Sequence, residues 1–219
     1  MILTAEKISF RYRRHGSTEI LHQMDLSLRS GERVGLSAPS GRGKTTLCRL
    51  LAGYEKPDRG KILLDGKPLS SYRGFCPVQM IWQNPESAVD PLIPLGETLR
   101  ESGAVEESLQ NALHIQPHWL TRYPSELSGG ELQRFCVARA MRPGLRFLLC
   151  DEMTAMLDFI TQAQIWNFIL EEAQRRNLGL LVVSHDPSLL EKVCTRIEYL
   201  PEKNTPDSQK HGTANGIQI

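Results

Sequence analysis

The sequence predicts an α/β domain built on a parallel sheet, and three observations lead to this fold class. Short strand-like segments alternate with amphipathic helical segments, as in domains whose helices cover both faces of a sheet. Two continuous apolar runs, residues 146–150 and 178–183, are typical of strands buried on both faces. A segment of small residues, 38–46, separates a strand-like segment from a helical one, which is where an anion-binding loop lies in such folds.

The composition is that of one ordinary globular domain. The 219 residues carry a net charge of +1, with 40% hydrophobic and 23% charged residues, so wholesale disorder and fibrous folds are excluded. At about 150 residues per domain, we expect a single domain over residues 1–200. The polar tail over residues 201–219 is expected to be disordered. The near-neutral charge argues against nucleic acid as a partner.

Two absences in the sequence bear on localisation. No apolar run approaches the ~20 residues that a membrane-spanning helix needs, and the N-terminal segment lacks the pattern of a secretory signal. The five cysteines are widely spaced and form no C-x-x-C pair. This pattern favours reduced thiols in a cytoplasmic protein.

Apolar periodicity gives the order of the elements. The strand-like segments before the two apolar runs are residues 2–10, 33–36, 61–64 and 78–82. One helix is expected over residues 45–52, with Gly53 as its C-terminal stop. A longer helix is expected from Phe159, and its expected buried face is Phe159, Ala163, Trp166, Ile169, Leu170 and Ala173. Between these helices, residues 84–126 contain five prolines, which predicts a small helical insertion.

The glycine-rich segment that ends in Gly43, Lys44 and Thr45 has the pattern of a phosphate-binding loop. Small residues let successive backbone N–H groups wrap a phosphate, and the helix that follows points its positive end at the phosphate. Lys44 is placed to reach the β- and γ-phosphates of a nucleotide, and the Thr45 hydroxyl to bind Mg²⁺. The pattern requires glycine at its first position, where this chain has Ala38. At positive φ, this methyl group would cost about 1 kcal/mol.

Two further segments carry acids or glycines where a nucleotide site needs them. The apolar run 147–150 ends in Asp151 and Glu152, so a buried strand would deliver Asp151 to the metal beside the phosphate loop. Glu152 would then face the γ-phosphate, where a base can orient an attacking water. The segment Ser128–Gly129–Gly130 precedes an apolar helical pattern and predicts a second anion-binding helix start. One nucleotide does not need both starts from one chain, so we expect the second to serve a nucleotide held by another subunit.

Together these motifs resemble the ATP-binding cassette, the motor subunit of ABC transporters, from residue 8 to about residue 200. The resemblance implies a RecA-like P-loop NTPase core, an N-terminal antiparallel β part, and a short helical subdomain inserted at about residues 84–140. It also implies ATP hydrolysis with Mg²⁺. The motifs that carry it are Tyr12, the phosphate loop, Gln83, the segment 127–131, Asp151–Glu152, the segment 155–158 and the segment 184–186.

Roles for individual residues follow from the resemblance. The implied catalytic residues are Glu152, His185 and Gln83, and the implied Mg²⁺ ligands are Thr45, Gln83 and Asp151. Tyr12 is expected to stack on adenine. The residues expected to hold the phosphates are Ser40, Gly41, Arg42, Gly43, Lys44, Thr45 and Thr46. Ser128, Gly129 and Gly130 are expected to clamp the γ-phosphate of the opposite subunit's ATP, with Asp158 communicating across the dimer interface.

The resemblance also implies partners and a place in the cell. It implies separate membrane permease subunits, a second ATPase subunit that is identical or different, and, indirectly, a solute-binding protein. The protein would be peripheral on the cytoplasmic face of a bacterial inner membrane. Segments 87–99, 122–126 and 157–165 are similar to the peptide and nickel importer group, and segment 132–140 is most similar to its nickel-type subunit. The expected cargo is therefore peptides, nickel or metal chelates.

Two alternatives remain open at this level. Ala38, together with Met153 where the family usually has proline, suggests a regulatory partner with a degenerate, poorly hydrolysing site in a cassette heterodimer. A soluble cassette protein of DNA repair or translation would share the motifs. Such a protein would need long coiled-coil arms or a second cassette, and the sequence contains neither.

Overall fold

A computed structural model describes residues 1–12, 19–39, 41–102 and 106–200. Within these residues the chain forms two sheets, and helices pack against them. The strands are β1 (Ile2–Phe10), β2 (Leu21–Arg29), β3 (Arg33–Ser37), β4 (Arg59–Leu64), β5 (Lys67–Pro68), β6 (Val78–Ile81), β7 (Phe147–Asp151), β8 (Gly179–Val183) and β9 (Arg196–Tyr199). The helices are α1 (Lys44–Leu51), α2 (Leu95–Glu101), α3 (Glu107–Ala112), α4 (Gly129–Ala140), α5 (Phe159–Arg176) and α6 (Pro187–Val193).

The first sheet is antiparallel, with strand order β2-β1-β4-β5. Its central strand β1 alternates in burial, so that Leu3 and Ala5 face the core. Sequence periodicity did not indicate β2, because two adjacent polar residues, His22 and Gln23, interrupt its alternation. In the structure the strand is irregular at the same point, where Gln23 has a φ of 44°. This sheet corresponds to the expected N-terminal antiparallel part.

The second sheet is parallel throughout, with strand order β6-β7-β8-β3-β9. Strands β7 and β8 are buried at every position, as their continuous apolar sequences predicted. Parallel strands have their carboxyl ends at the same edge, and ligands bind in open α/β sheets at that edge. The segments that leave β6, β7, β8 and β3 therefore begin close together. The α/β fold class with an antiparallel part is confirmed.

The chain between β6 and β7 is mainly helical and contains α2, α3 and α4. Helix α4 is buried from Leu132 to Ala138, because it lies between the parallel sheet and the shorter helices. The buried face expected for α5 was partly wrong. Phe159 is 89% exposed and Ala163 is exposed, since the first turn of α5 extends beyond the core. Trp166, Ile169 and Ala173 are buried as expected, and Ile165 and Phe168 complete the buried face.

Two expectations about the whole chain can be compared with the described residues. No helix among them is both long and apolar enough to cross a bilayer. All five cysteines are free thiols in the structure. The tail over residues 201–219 lies outside the described residues.

Candidate nucleotide-binding site

The phosphate loop leads from β3 into α1 and forms one side of an open cleft of about 470 Å³. Gly43 is the N-cap of α1 and has a φ of 85°. A Cβ atom there would lie 2.8 Å from Ile20 Cγ2, so only glycine fits this position. The cleft is lined by Ile20, Gly41, Arg42, Gly43, Lys44, Thr45, Thr46, Gln83, Glu152 and His185. Ser40, also expected in the loop, lies outside the described residues.

Lys44 is 6% exposed, and the backbone of its own loop holds its ammonium group. Its Nζ donates hydrogen bonds to the carbonyl oxygens of Ala38 at 2.6 Å and Pro39 at 3.2 Å. Burial lowers the pKa of Lys44, and the charges of Glu152 and Asp151 act in the opposite direction. Ala38 is not among the described residues with positive φ, so its methyl group causes no backbone strain.

Asp151 ends β7 and is 2% exposed. Burial raises the pKa of its carboxyl group, and the nearby charge of Glu152 raises this pKa further, while a hydrogen bond with the Thr45 side chain lowers it. The Oδ1 atom is buried and has no hydrogen-bond partner in the part of the chain that the structure describes. A buried, unpaired carboxylate oxygen beside a threonine hydroxyl suits a hard cation such as Mg²⁺, which prefers oxygen ligands.

Glu152, His185 and Lys44 meet at one point in the cleft. Glu152 Oε1 lies 2.9 Å from His185 Nε2 and 3.9 Å from Lys44 Nζ. His185 Nε2 also lies 3.2 Å from Lys44 Nζ. Because Nε2 carries either a proton or a lone pair, it can donate to Glu152 or accept from Lys44, but it cannot do both at once. The hydrogen bond of Nε2 can therefore be made either to Glu152 or to Lys44.

The segment from Ser128 to Gly130 begins α4, as the sequence predicted, and forms part of a second cleft of about 470 Å³. Ser128 and Glu131 form a capping box. Ser128 Oγ accepts a hydrogen bond from Glu131 N at 3.3 Å, and Glu131 Oε2 accepts one from Ser128 N at 2.7 Å. The hydroxyl proton of Ser128 is not used in this exchange and can be donated to an anion. A Cβ atom on Gly129 would meet nothing within 4 Å.

Asp158 lies in the same second cleft and is the N-cap of α5. Its Oδ1 accepts hydrogen bonds from the backbone N–H groups of Ile160 and Thr161, both at 3.0 Å. Hydrogen bonds from Thr161 have the largest effect in lowering the pKa of Asp158, and the one from Ile160 adds to it. The structure therefore gives Asp158 a capping role in the cleft wall.

Tyr12 and Gln83 differ in their placement. Gln83 lines the cleft of the phosphate loop. Tyr12 does not, since its ring packs edge-on against Phe10, with the ring centres 4.9 Å apart. The Tyr12 hydroxyl accepts a hydrogen bond from Arg49 Nη1 at 3.4 Å. The expected contact of Tyr12 with adenine stays a prediction.

The two clefts share no lining residue. One chain therefore carries the phosphate loop, Gln83, Glu152 and His185 in one cleft, and Ser128, Gly129, Gly130 and Asp158 in another. Sequence reasoning missed Ile20, which closes the side of the first cleft. Recognising β2 would have placed Ile20 directly before that strand.

Comparisons with known proteins identify the family and the fold. A family model described as "ABC transporter" matches residues 21–155. The nickel import ATP-binding protein NikE of Rhodospirillum rubrum is 35% identical over 227 residues, covering 92% of this chain and 81% of that protein. The dimeric structure of a bacterial ABC transporter cassette is 21% identical with a TM-score of 0.78, covering 90% and 94% of the two chains. A post-hydrolysis cassette dimer bound to ADP and Pi is 22% identical with a TM-score of 0.78, at the same coverage.

The buried Asp151 is expected to reduce stability when no nucleotide is bound. Because its pKa is raised in the folded chain, the folded state binds the proton more tightly than the unfolded state. Ionisation therefore costs stability as the pH rises through and above the ordinary aspartate pKa of about 3.9. Asp151→Asn is expected to increase the free energy of unfolding in urea at pH 7, and the increase should shrink as the pH is lowered toward 4.

Asp158→Ala is the matched control with the opposite sign. The pKa of Asp158 is lowered, so its charge stabilises the folded chain at neutral pH, and this contribution is lost as the pH falls through the folded pKa. The alanine variant is expected to unfold at lower urea concentration. Equal signs for the two variants at pH 7 would contradict the electrostatic description of this site.

Proposed function

The chain belongs to the ABC transporter family of ATPases, and we propose that it is the ATP-hydrolysing subunit of an importer that drives separate membrane permease subunits. We further propose that residues 1–200 form a single ATPase domain with the helical subdomain at about 84–140. The observation that carries the proposal is the separation of two clefts, one at the phosphate loop and one at the start of α4, that have no residue in common. Each cleft supplies what the other lacks for one nucleotide.

ATP is expected to lie with its phosphates along the loop from Gly41 to Thr46. Backbone N–H groups at the start of α1 face that position, and the helix dipole favours negative charge there. Lys44, whose ammonium group now donates to loop carbonyls, can turn its donors toward the β- and γ-phosphates. Tyr12 is proposed to stack on the adenine ring.

Thr45 and Asp151, together with Gln83, are proposed to hold Mg²⁺. When bound with ATP, this ion neutralises charge on the β- and γ-phosphates. The unpaired Asp151 Oδ1 supports this assignment. The bound ion would then offset the free-energy cost of burying the Asp151 carboxylate.

Glu152 is proposed to act as the general base. Its carboxylate lines the cleft and can accept a proton from a water that attacks the γ-phosphate. His185 Nε2, 2.9 Å from Glu152 Oε1, can hold the carboxylate in position and contact the γ-phosphate. The chain contributes positioning and charge rather than covalent chemistry.

Closure of the site is proposed to need a second cassette subunit. Ser128 Oγ and the backbone N–H groups of Gly129 and Gly130 would contact the γ-phosphate bound by the opposite subunit. Asp158 would lie against the same interface. Closing and reopening of the two subunits would move the permease between its access states. This motor would be peripheral on the cytoplasmic face of a bacterial inner membrane, and a solute-binding protein would deliver the cargo.

The alternative of a degenerate, poorly hydrolysing partner finds no support in the site. Ala38 has no positive φ, Met153 is accommodated in the core at 3% exposure, and Glu152 and His185 lie side by side. The relatedness to a nickel import protein leads us to propose nickel, as the ion or a chelate, as the cargo, with peptides as the second candidate.

Glu152→Gln is expected to lower the rate of ATP hydrolysis by about 100-fold or more, the usual contribution of a positioned base. It is expected to leave Mg–ATP binding intact, because glutamine keeps the shape of the side chain. Steady-state phosphate release and equilibrium ATP binding measure the two effects. Glu172→Gln, which alters a glutamate paired with Arg175 and Arg176 on α5, is the control and should retain turnover. Full turnover in the Glu152 variant would contradict the proposed base.

The proposed cargo can be tested in the host cell. Replacing the chromosomal copy by the Glu152→Gln variant is expected to lower nickel accumulation at limiting external nickel to the level of a strain that lacks the chain. Elemental analysis of washed cells measures it, and uptake of a labelled dipeptide is the comparison. Loss of dipeptide uptake with normal nickel accumulation would transfer the assignment to peptides.

A further inference from the structure

The turn that presents Glu152 to the cleft has an unusual backbone. Glu152 has a φ of 48°, a conformation that a residue other than glycine keeps only when its surroundings hold it there. Its N–H donates to Val183 O at 3.0 Å, which ties it to β8. Its carbonyl accepts a hydrogen bond from Ala155 N at 3.1 Å, which closes the turn. Met153 adds no restraint of its own, since only proline restricts φ through its ring.

Helix α5 supplies a second support for this turn. Trp166 Nε1 donates a hydrogen bond to Thr154 Oγ1 at 3.1 Å, and Gln162 Nε2 donates to the same oxygen at 3.3 Å. A threonine hydroxyl oxygen has two lone pairs and can accept both. Trp166 is 5% exposed and Thr154 is 3% exposed, so water cannot replace either partner freely.

These contacts hold the turn at two points. The sheet holds Glu152 through Val183, and α5 holds Thr154, two residues further along the chain. The same segment continues through a hydrogen bond from Leu157 N to Thr154 O at 3.2 Å and ends at Asp158, which caps α5. Without the contacts from α5 to Thr154, the turn would be held at its strand end and at Asp158, four residues beyond Thr154.

We infer that Trp166 is a positioning residue for ATP hydrolysis, which holds the turn that aims the Glu152 carboxylate into the cleft by its hydrogen bond to Thr154. This inference rests on the proposed role of Glu152 as the base. Trp166 touches neither the nucleotide cleft nor the second cleft, because it lines neither of them. Its effect on the reaction therefore passes through Thr154.

The test compares variants that remove either partner of the hydrogen bond. Trp166→Phe keeps an aromatic ring but removes one of the two donors, and Thr154→Val keeps the shape but removes the acceptor of both hydrogen bonds. Trp166→Phe is expected to lower kcat for Mg–ATP hydrolysis by about three- to tenfold, the factor that corresponds to one buried hydrogen bond, and Thr154→Val is expected to lower it by at least as much. KM and the dissociation constant for ATP are expected to stay within about twofold, because the phosphate loop is not altered.

Two further variants distinguish positioning from general destabilisation. Thr154→Ser keeps the hydroxyl and is expected to recover most of the turnover that Thr154→Val loses. The double variant is expected to be no slower than Thr154→Val alone, since that change already removes the hydrogen bond that Trp166→Phe removes. Tyr72→Phe is the matched control, because it also removes a hydrogen bond donated by an aromatic side chain. The Tyr72 hydroxyl donates to Leu64 O at 3.3 Å, and Leu64 lies on β4 of the antiparallel sheet. It is expected to lower the thermal midpoint without lowering kcat.

Unchanged kcat in Trp166→Phe would overturn the inference, as would an equal loss of kcat in Tyr72→Phe. A loss of turnover matched by an equal weakening of ATP binding would also overturn it, since that pattern indicates a disturbed phosphate loop. If Glu152→Gln retains full turnover, the proposed base itself fails. If Glu152→Gln abolishes turnover and Trp166→Phe leaves it unchanged, only the role of Trp166 fails.

Discussion

The parallel order of β6, β7, β8 and β3 is the constraint on which the rest of the site depends. Each of these neighbouring strands ends at the same edge of the sheet, and each is followed by one part of the first cleft. Gln83 follows β6, Glu152 follows β7, His185 follows β8 and the phosphate loop follows β3. Backbone hydrogen bonding thus brings together residues that are far apart in the sequence, and few side-chain contacts are needed to assemble them.

Burial destabilises the charged forms of two groups at this edge of the sheet. Asp151 is buried with one oxygen unpaired, and Lys44 is buried with its ammonium group turned onto loop carbonyls. Burial raises the pKa of the first group and lowers that of the second. The charges of a nucleotide and Mg²⁺ would offset the cost of burying both groups. Part of the free energy that their burial costs the folded chain is then recovered when the ligand binds.

Much of the fold and site could be predicted from the sequence because the decisive signals are local. The apolar runs of β7 and β8, the glycines before α1, and the serine and glycines before α4 each encode their own conformation. The prediction failed where tertiary packing decides. Strand β2 is held by β1 despite polar residues in its middle, and the first turn of α5 extends past the core, which exposes Phe159. The contact between Trp166 and Thr154 depends on how α5 packs, and no local pattern indicates it.

The central claim is that hydrolysis of one ATP needs the first cleft of one chain and the second cleft of another chain. Mixing two variants tests it most directly. The first is Lys44→Ala, which disables the first cleft. The second is Gly129→Asp, which adds a negative charge to the second cleft at a position where a Cβ atom meets nothing within 4 Å. Each variant alone should be inactive. Mixed in equal amounts they should regain ATP hydrolysis, because the mixed pair contains one intact combination of clefts. Turnover no higher than the mean of the two separate variants would contradict the claim.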